Sequence, residues 1–179
     1  MTKERKTAIV LIDIQGKLAE IMYESKQLFN NVEILIKGAK LLDIPIIWTE
    51  QLPDKLGITT ERVRQLLLDQ KPIIKSEFSC VRNKNFLNNI DKEDFNHFLV
   101  CGIETHVCVY QTVKDLLELG HKVELIADAV SSRTKQNKTI GLEKMRSLGA
   151  KLTSVEILLF EKQEVAAGDT FRELIKIIK

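Results

Sequence analysis

The sequence predicts an α/β protein, a single domain of three α-β-α layers in which helices cover both faces of a parallel β-sheet. Two observations lead to this class. Short apolar runs rich in branched residues alternate along the chain with longer segments that have helical spacing, and the short runs contain almost no polar residues. A strand without polar alternation is typical of a parallel sheet covered on both faces. Regular alternation of strands and helices favours βαβ units with right-handed crossovers. We therefore expect one domain over residues 1–179.

Six segments are the predicted strands. The first, residues 7–13 (TAIVLID), is a nearly continuous apolar run. Residues 44–49 (IPIIWT) repeat this signature, with Pro45 near the start, where a missing amide donor is tolerated best. The remaining predicted strands are residues 72–75, 97–101, 122–127 and 151–154.

Apolar residues at three- and four-residue spacing predict the helices between the strands. They indicate helices over residues 28–42, 109–117, 140–148 and 171–178, the second ending at Gly120 and the third near Gly149. Two irregular stretches, residues 50–57 and 77–85, follow predicted strands. We expect both at the carboxyl edge of the sheet.

Composition and charge exclude several classes of function. The net charge is +2, and basic and acidic residues are spread along the whole chain, which gives no electrostatic footprint for nucleic acid. No apolar stretch approaches the roughly 20 residues that span a bilayer. Residues 1–7 lack the features of a secretory signal. We expect a cytoplasmic protein that acts on a small molecule, without a nucleic-acid or membrane partner.

The sequence also gives no indication of a cofactor or metal. The three cysteines cannot all pair and lack CxxC spacing, and the three histidines have no second ligand at helical spacing. The first strand is followed by Gln15-Gly16-Lys17 rather than by a glycine-rich phosphate loop. We therefore expect neither a metal site nor a nucleotide site.

Three reactive residues fall where parallel sheets bind ligands, at the carboxyl ends of the strands. Asp13 ends the first predicted strand, Lys75 ends the third, and Cys108 lies between the fourth strand and its helix. Asp13 is suited to accept a proton, although an aspartate can also merely cap a turn. Taken in isolation, Lys75 is more consistent with a solvated surface lysine.

Cys108 carries the strongest local signal. If Thr105 is the N-cap, Cys108 lies in the first helical turn, where the helix dipole and backbone amides favour a thiolate and lower the thiol pKa. The same amides could hold an oxyanion. The alternative is a cysteine that packs as a small buried hydrophobe, which is our interpretation of Cys80 and Cys101.

The chain resembles the isochorismatase-like cysteine hydrolase superfamily, which includes nicotinamidases and carbamoylsarcosine amidases. The residues that carry the resemblance are 8–15 (AIVLIDIQ), 74–78 (IKSEF), 100–109 (VCGIETHVCV) and 123–129 (VELIADA). Within that superfamily it is most similar to the small isochorismatase-domain proteins, through residues 49–53 (TEQLP) and 131–133 (SSR).

This resemblance implies a six-stranded parallel sheet of order 3-2-1-4-5-6 and a triad of Asp13, Lys75 and Cys108. It also implies a cis peptide bond between Ile103 and Glu104, with the amides of Glu104 and Cys108 facing the substrate oxygen. One departure bears on the substrate. Nicotinamidases have an Asp-x-His metal site after the second strand, but this chain reads Asp54-Lys55-Leu56 there.

These arguments predict a hydrolase that cleaves a C–N bond in a small amide through a thioester on Cys108, with Asp13 as the base and Lys75 assisting it. By position, we expect Gln15, Leu18, Gln51 and Phe78 to shape the substrate pocket. Two alternatives stay open: vinyl-ether hydrolysis without a covalent intermediate, and a catalytically quiet interaction protein. The amphipathic C-terminal segment and the apolar faces of so small a sheet also predict a homo-oligomer.

Overall fold

The computed structural model describes residues 6–179. The prediction that no secretory signal occupies residues 1–7 therefore concerns mainly residues outside the described part. Within the described residues, the strands are β1 (Thr7–Ile12), β2 (Ile46–Gln51), β3 (Ile73–Lys75), β4 (His97–Ile103), β5 (Lys122–Ser131) and β6 (Lys151–Thr153). The α-helices are α1 (Gly16–Glu20), α2 (Ser25–Leu41), α3 (Pro53–Leu56), α4 (Glu61–Arg64), α5 (Lys84–Glu93), α6 (Tyr110–Glu118), α7 (Lys135–Ser147), α8 (Val155–Gln163) and α9 (Gly168–Ile178). A 3-10 turn (Cys80–Arg82) and a π-helical turn (Thr105–Val109) complete the fold.

The sheet confirms the predicted fold class and strand order. Its six strands run parallel in the order β3-β2-β1-β4-β5-β6. The chain builds outward from β1 on one side and then returns to add β4 on the other. The carboxyl ends of β1 and β4 therefore flank the point where strand order reverses, and such a point opens a crevice for ligands.

Both faces of the sheet are covered by helices, because alternate residues of each central strand enter different cores. In β1, Ile9 and Leu11 belong to one core and Ala8 and Val10 to the other. Helices α2, α8 and α9 close the first core, and α5, α6 and α7 close the second. This arrangement explains why the strands read as continuous apolar runs.

Three strands extend past their predicted ends. β2 runs on through the polar residues Glu50 and Gln51, which are both buried, and β4 runs on through Gly102 and Ile103. β5 runs four residues past Ala127, and Val130 and Ser131 pair with β4 beyond a shift of register. All three extensions lie at the carboxyl edge. Among residues 6–179, no helix combines the length and apolar character needed to cross a membrane.

Candidate active site

The structure brings Asp13, Lys75 and the segment that carries Cys108 to the carboxyl edge of the sheet. Asp13 directly follows β1, where its left-handed backbone (φ 51°) turns the chain out of the sheet, and Asp tolerates this conformation better than most residues. Lys75 is the last residue of β3, and its Nζ donates to Asp13 Oδ2 at 2.5 Å. The two residues thus form an ion pair across β2.

A glycine at the end of β4 makes room for this arrangement. Gly102 has φ 118°, and a Cβ on it would lie 2.1 Å from the carbonyl oxygen of Ile12. No side chain fits that gap, and the positive φ would strain any other residue. Gly102 therefore lets β1 and β4 approach closely, immediately before Asp13 and the turn that carries Cys108.

The Lys75 side chain is fully buried, so the interpretation as a solvated surface lysine is wrong. Its Nζ also donates to the carbonyl oxygens of Glu77 (3.1 Å) and Phe78 (3.3 Å), which together with Asp13 occupy its three protons. Burial is the strongest single influence on the pKa of Lys75 and acts to lower it. The charge and hydrogen bond of Asp13, together with the neighbouring cysteines, outweigh burial, and the net shift is upward. Lys75 is therefore an ammonium ion.

The Asp13 carboxylate is held on both oxygens. Thr49 Oγ1 donates to Oδ1 at 2.7 Å, while Lys75 holds Oδ2. Both partners are side chains rather than the backbone amides that a turn cap would bind. Thr49 lies at the end of the second predicted strand. The sequence gives no sign of its bond to Asp13, because the two residues are 36 positions apart.

Cys108 is buried and lies in the π-helical turn that precedes α6. Its Sγ is 3.6 Å from Gln51 Oε1. Burial raises the pKa of the Cys108 thiol, and the charge of Asp13 raises it further, whereas Lys75 opposes this only in part. The predicted lowering of this pKa is wrong. Two effects disfavour the thiolate, namely its desolvation and the negative charge of Asp13, and together they outweigh the effect of the helix dipole.

The prediction that Thr105 is the N-cap of the helix that carries Cys108 is also wrong. The turn is preceded by Glu104 without a side-chain capping bond, and the Thr105 Oγ1 atom is buried with no hydrogen-bond partner. The other two cysteines are fully buried, and burial raises the pKa of Cys80 to about 11. It also raises the pKa of Cys101. All three thiols are therefore neutral near pH 7.

The peptide bond between Ile103 and Glu104 is cis. The Glu104 side chain is fixed by Arg133, whose backbone N–H and Nε donate to Glu104 Oε2 at 3.0 and 3.1 Å. Arg133 is the counterion of Glu104, which the sequence could not reveal because the two are 29 positions apart.

A cavity of about 350 Å³ opens beside these residues. Its wall includes the predicted Gln15, Leu18, Gln51 and Phe78, together with Asp13, Ile103, Glu104 and Cys108. The sequence did not identify the other members of the wall: Leu52, Lys55, Leu56, Ser76 and Val107. Most of these additional residues come from the loop after β2, whose path could not be predicted from its irregular sequence.

The side-chain amides of Gln15 and Gln51 have different hydrogen-bond partners. Gln15 Nε2 donates to the carbonyl oxygens of Gln51 (3.1 Å) and Gly57 (2.6 Å), and its Oε1 accepts from the Gln51 N–H at 2.6 Å. Gln15 thus clamps the loop after β2. Gln51 Nε2 donates to the carbonyl oxygens of Ser76 and Glu77, both at 3.3 Å, which directs its Oε1 toward Cys108.

The described residues do not fit a metal ion at this site. Among residues 6–179, no group of three or more His, Cys, Asp or Glu side chains could hold one. The position of the nicotinamidase metal motif is occupied here by residues 54–56, in which Lys55 brings a positive charge to the cavity wall.

The fold and the position of the cavity define a parallel α/β protein with its candidate site at the strand-order reversal. The isochorismatase domain profile matches residues 7–157. The chain therefore belongs to the isochorismatase family and has the hydrolase fold of that family.

Relatives of similar length support this assignment. The chain is 32% identical to the secreted isochorismatase effector Isc1 of Phytophthora sojae, over 97% of this chain and 84% of that protein. It is 34% identical to isochorismatase family protein 1B of Dictyostelium discoideum, over 97% of this chain and 86% of that protein. The structure of MAR1 ribonuclease from Caenorhabditis elegans superposes with a TM-score of 0.88 at 32% identity, and the match covers 99% of this chain and 92% of that chain.

Proposed function

We propose that the protein hydrolyses a C–N bond in a small amide through a thioester on Cys108. One observation carries the proposal. Lys75 holds one oxygen of the Asp13 carboxylate and Thr49 holds the other. The negative charge of this carboxylate acts on the Cys108 thiol, and both groups lie at the wall of an apolar cavity. A fixed base beside a protonated nucleophile is the arrangement that covalent hydrolysis requires.

The raised pKa of Cys108 determines the order of proton transfer. Because the thiol is neutral at rest and donates to Gln51 Oε1, its proton must leave as the sulfur attacks the substrate carbonyl. We assign Asp13 as the base that takes this proton, since its charge acts on the thiol. Lys75 stays charged and balances the negative charge that Asp13 and the sulfur share. Gln51 Oε1, directed at the sulfur, is an acceptor for an N–H of the amide.

The remaining steps use the same groups. As the carbon becomes tetrahedral, the backbone amides of Glu104 and Cys108 hold the oxyanion. The C–N bond then breaks, Asp13 returns its proton to the leaving amine, and the acyl group stays on the sulfur. A water molecule, deprotonated by Asp13, hydrolyses the thioester and regenerates the thiol and the acid product.

The experiment that tests the proposal is a screen of small amides and carbamoyl compounds with mass spectrometry of the intact protein. We expect a mass increase equal to the acyl group that maps to Cys108, is absent in Cys108→Ala and persists in the control Cys101→Ala. Cys101 is a suitable control because it is buried in β4 and is absent from the cavity wall.

Three outcomes would contradict the proposal. Full turnover by Cys108→Ala would favour hydrolysis without a covalent intermediate, as in vinyl-ether cleavage with Asp13 as acid. A Cys108 no more reactive toward iodoacetamide than Cys80 or Cys101 would favour a quiet interaction protein. Cleavage of RNA with no amide turnover would favour the activity in the name of the Caenorhabditis elegans structure, although a cavity of about 350 Å³ suits a small molecule better.

A further inference from the structure

The charges on the cavity wall do not balance. Asp13 and Glu104 are its two carboxylates, and each has a counterion, Lys75 for Asp13 and Arg133 for Glu104. The third charged member of the wall is Lys55, whose amine forms no ion pair or hydrogen bond with any residue from 6 to 179. The cavity therefore presents one positive charge that the described part of the chain leaves unneutralised.

The backbone that carries Lys55 is fixed rather than free. Lys55 lies in α3, and the loop around this short helix is tied down at both ends. The Leu52 N–H donates to the carbonyl oxygen of Lys75 at 3.0 Å, and Gln15 Nε2 donates to that of Gly57 at 2.6 Å. Close packing adds to these bonds, since a Cβ on Gly16 would lie 2.4 Å from the carbonyl oxygen of Leu56. The fold thus holds the Lys55 backbone beside the cavity.

Much of the rest of the wall is apolar. It includes Leu18, Leu52, Leu56, Phe78, Ile103 and Val107. Lys55 itself is exposed, so solvent partly screens the attraction between its ammonium and a bound anion. The apolar walls accommodate an apolar body between two polar ends of a ligand.

From these observations we infer that the substrate is an anionic amide, with its amide group at Cys108 and a carboxylate bound by Lys55. The inference rests on the proposed function and adds the class of substrate to it. Lys55 determines specificity in this scheme and takes no part in the bond-breaking steps.

Two iodoacetamides test this inference without a known substrate. In the acid reagent, N-iodoacetyl-β-alanine, the amide carries a carboxylate several bonds from the carbon that reacts with the thiol. In the amide reagent, the carboxamide of the same compound, this carboxylate is replaced by a neutral group of nearly the same size. The measurement is the rate of alkylation at Cys108, followed by mass spectrometry, in the wild type, Lys55→Met, Lys55→Arg and the control Lys17→Met. Lys17 is exposed and is absent from the cavity wall.

We expect Lys55→Met to slow the acid reagent by about threefold to fivefold, as an ion pair with an exposed lysine allows, and to leave the amide reagent unchanged. Lys55→Arg should retain the wild-type ratio of the two rates, and Lys17→Met should change neither rate. Added salt should slow the acid reagent in the wild type and not in Lys55→Met.

Equal rates of the acid reagent in Lys55→Met and the wild type, or an equal loss with both reagents, would overturn the inference while leaving the Cys108 mechanism intact. If instead Cys108 reacts with neither reagent faster than Cys80 and Cys101, the nucleophile itself fails and the inference fails with it.

Discussion

At the scale of single residues, the buried ion pair of Asp13 and Lys75 sets the properties of the site. The Lys75 side chain has no exposed surface and that of Asp13 is 5% exposed, so each charge depends on the other for compensation. Such a pair contributes little to net stability, but removing one member leaves a buried charge without a partner. The pair is therefore better explained by function than by stability.

The contrast between the small net contribution of the ion pair and the large cost of removing one member predicts the outcome of a double-mutant cycle. We expect Lys75→Met to lower the free energy of unfolding by about 3–5 kcal/mol, because it strands the Asp13 carboxylate in the core. The double variant Asp13→Asn/Lys75→Met should lose clearly less than the sum of the two single losses, since neither charge remains. Urea unfolding of the four proteins measures the coupling. Additive losses would mean that the two side chains are independent, contrary to their 2.5 Å contact.

At the scale of elements, the sequence predicts the sheet well because its central strands are buried on both faces. The runs at β1 and β4 contain almost only apolar residues, so their pattern alone identifies them. The motifs that resemble the family then place Asp13, Lys75 and Cys108 at one edge.

The failed predictions concern strand ends, a pKa shift and loops that depend on tertiary contacts. Glu50 and Gln51 extend β2 as buried polar residues because their partners come from other parts of the chain, and a polar residue after a strand gives no sign of burial. The predicted direction of the pKa shift of Cys108 was wrong for the same reason. The shift depends on burial and on Asp13, which is 95 positions away in the sequence. The counterion of Glu104 and the loop that carries Lys55 depend likewise on long-range contacts.

The opposite edge of the sheet contains a second group of polar contacts, centred on His97 of β4. Its Nδ1 is 3.0 Å from Thr7 Oγ1 in β1, and its Nε2 is 3.1 Å from Glu124 Oε1 in β5. A neutral ring satisfies both contacts, with Nδ1 as acceptor and Nε2 as donor. Glu124 already pairs with Lys122, so a protonated ring would gain little. Burial and the charge of Lys122 accordingly lower the pKa of His97 to about 4.

The lowered pKa of His97 predicts a loss of stability in acid. A group whose pKa is depressed in the folded state stabilises the fold above its unfolded value of 6.5, and this contribution disappears as the pH falls toward 4. We expect the His97 contribution to fall by about 1–2 kcal/mol over this range, after allowing for solvent screening. Urea unfolding between pH 7 and 4 should therefore show a steeper decline for the wild type than for His97→Gln. Parallel curves for the two proteins would contradict the prediction.

At the scale of the whole molecule, the structure changes the reason for expecting an oligomer. The C-terminal helix α9 does not offer a free apolar face, because Leu174 is buried in the first core and Ile178 packs against that core. Large apolar side chains are exposed elsewhere, in and after α8. Ile157 is 54% exposed and Val165 is 61% exposed, and Phe160, Val165 and Phe171 line one shallow cavity. Burying exposed apolar side chains is a common reason for subunits to associate.

The homo-oligomer therefore remains a prediction, and its test is the mass in solution by size-exclusion chromatography with light scattering. We expect a dimer or larger assembly that Phe160→Glu and Val165→Glu dissociate, because each would place a charge where a second copy packs. Leu119→Glu is the matched control, since Leu119 is 55% exposed and lies beyond the end of α6, away in sequence from this group. A wild-type monomer would contradict the prediction, and dissociation by Leu119→Glu alone would place the subunit contact near α6 instead of α8.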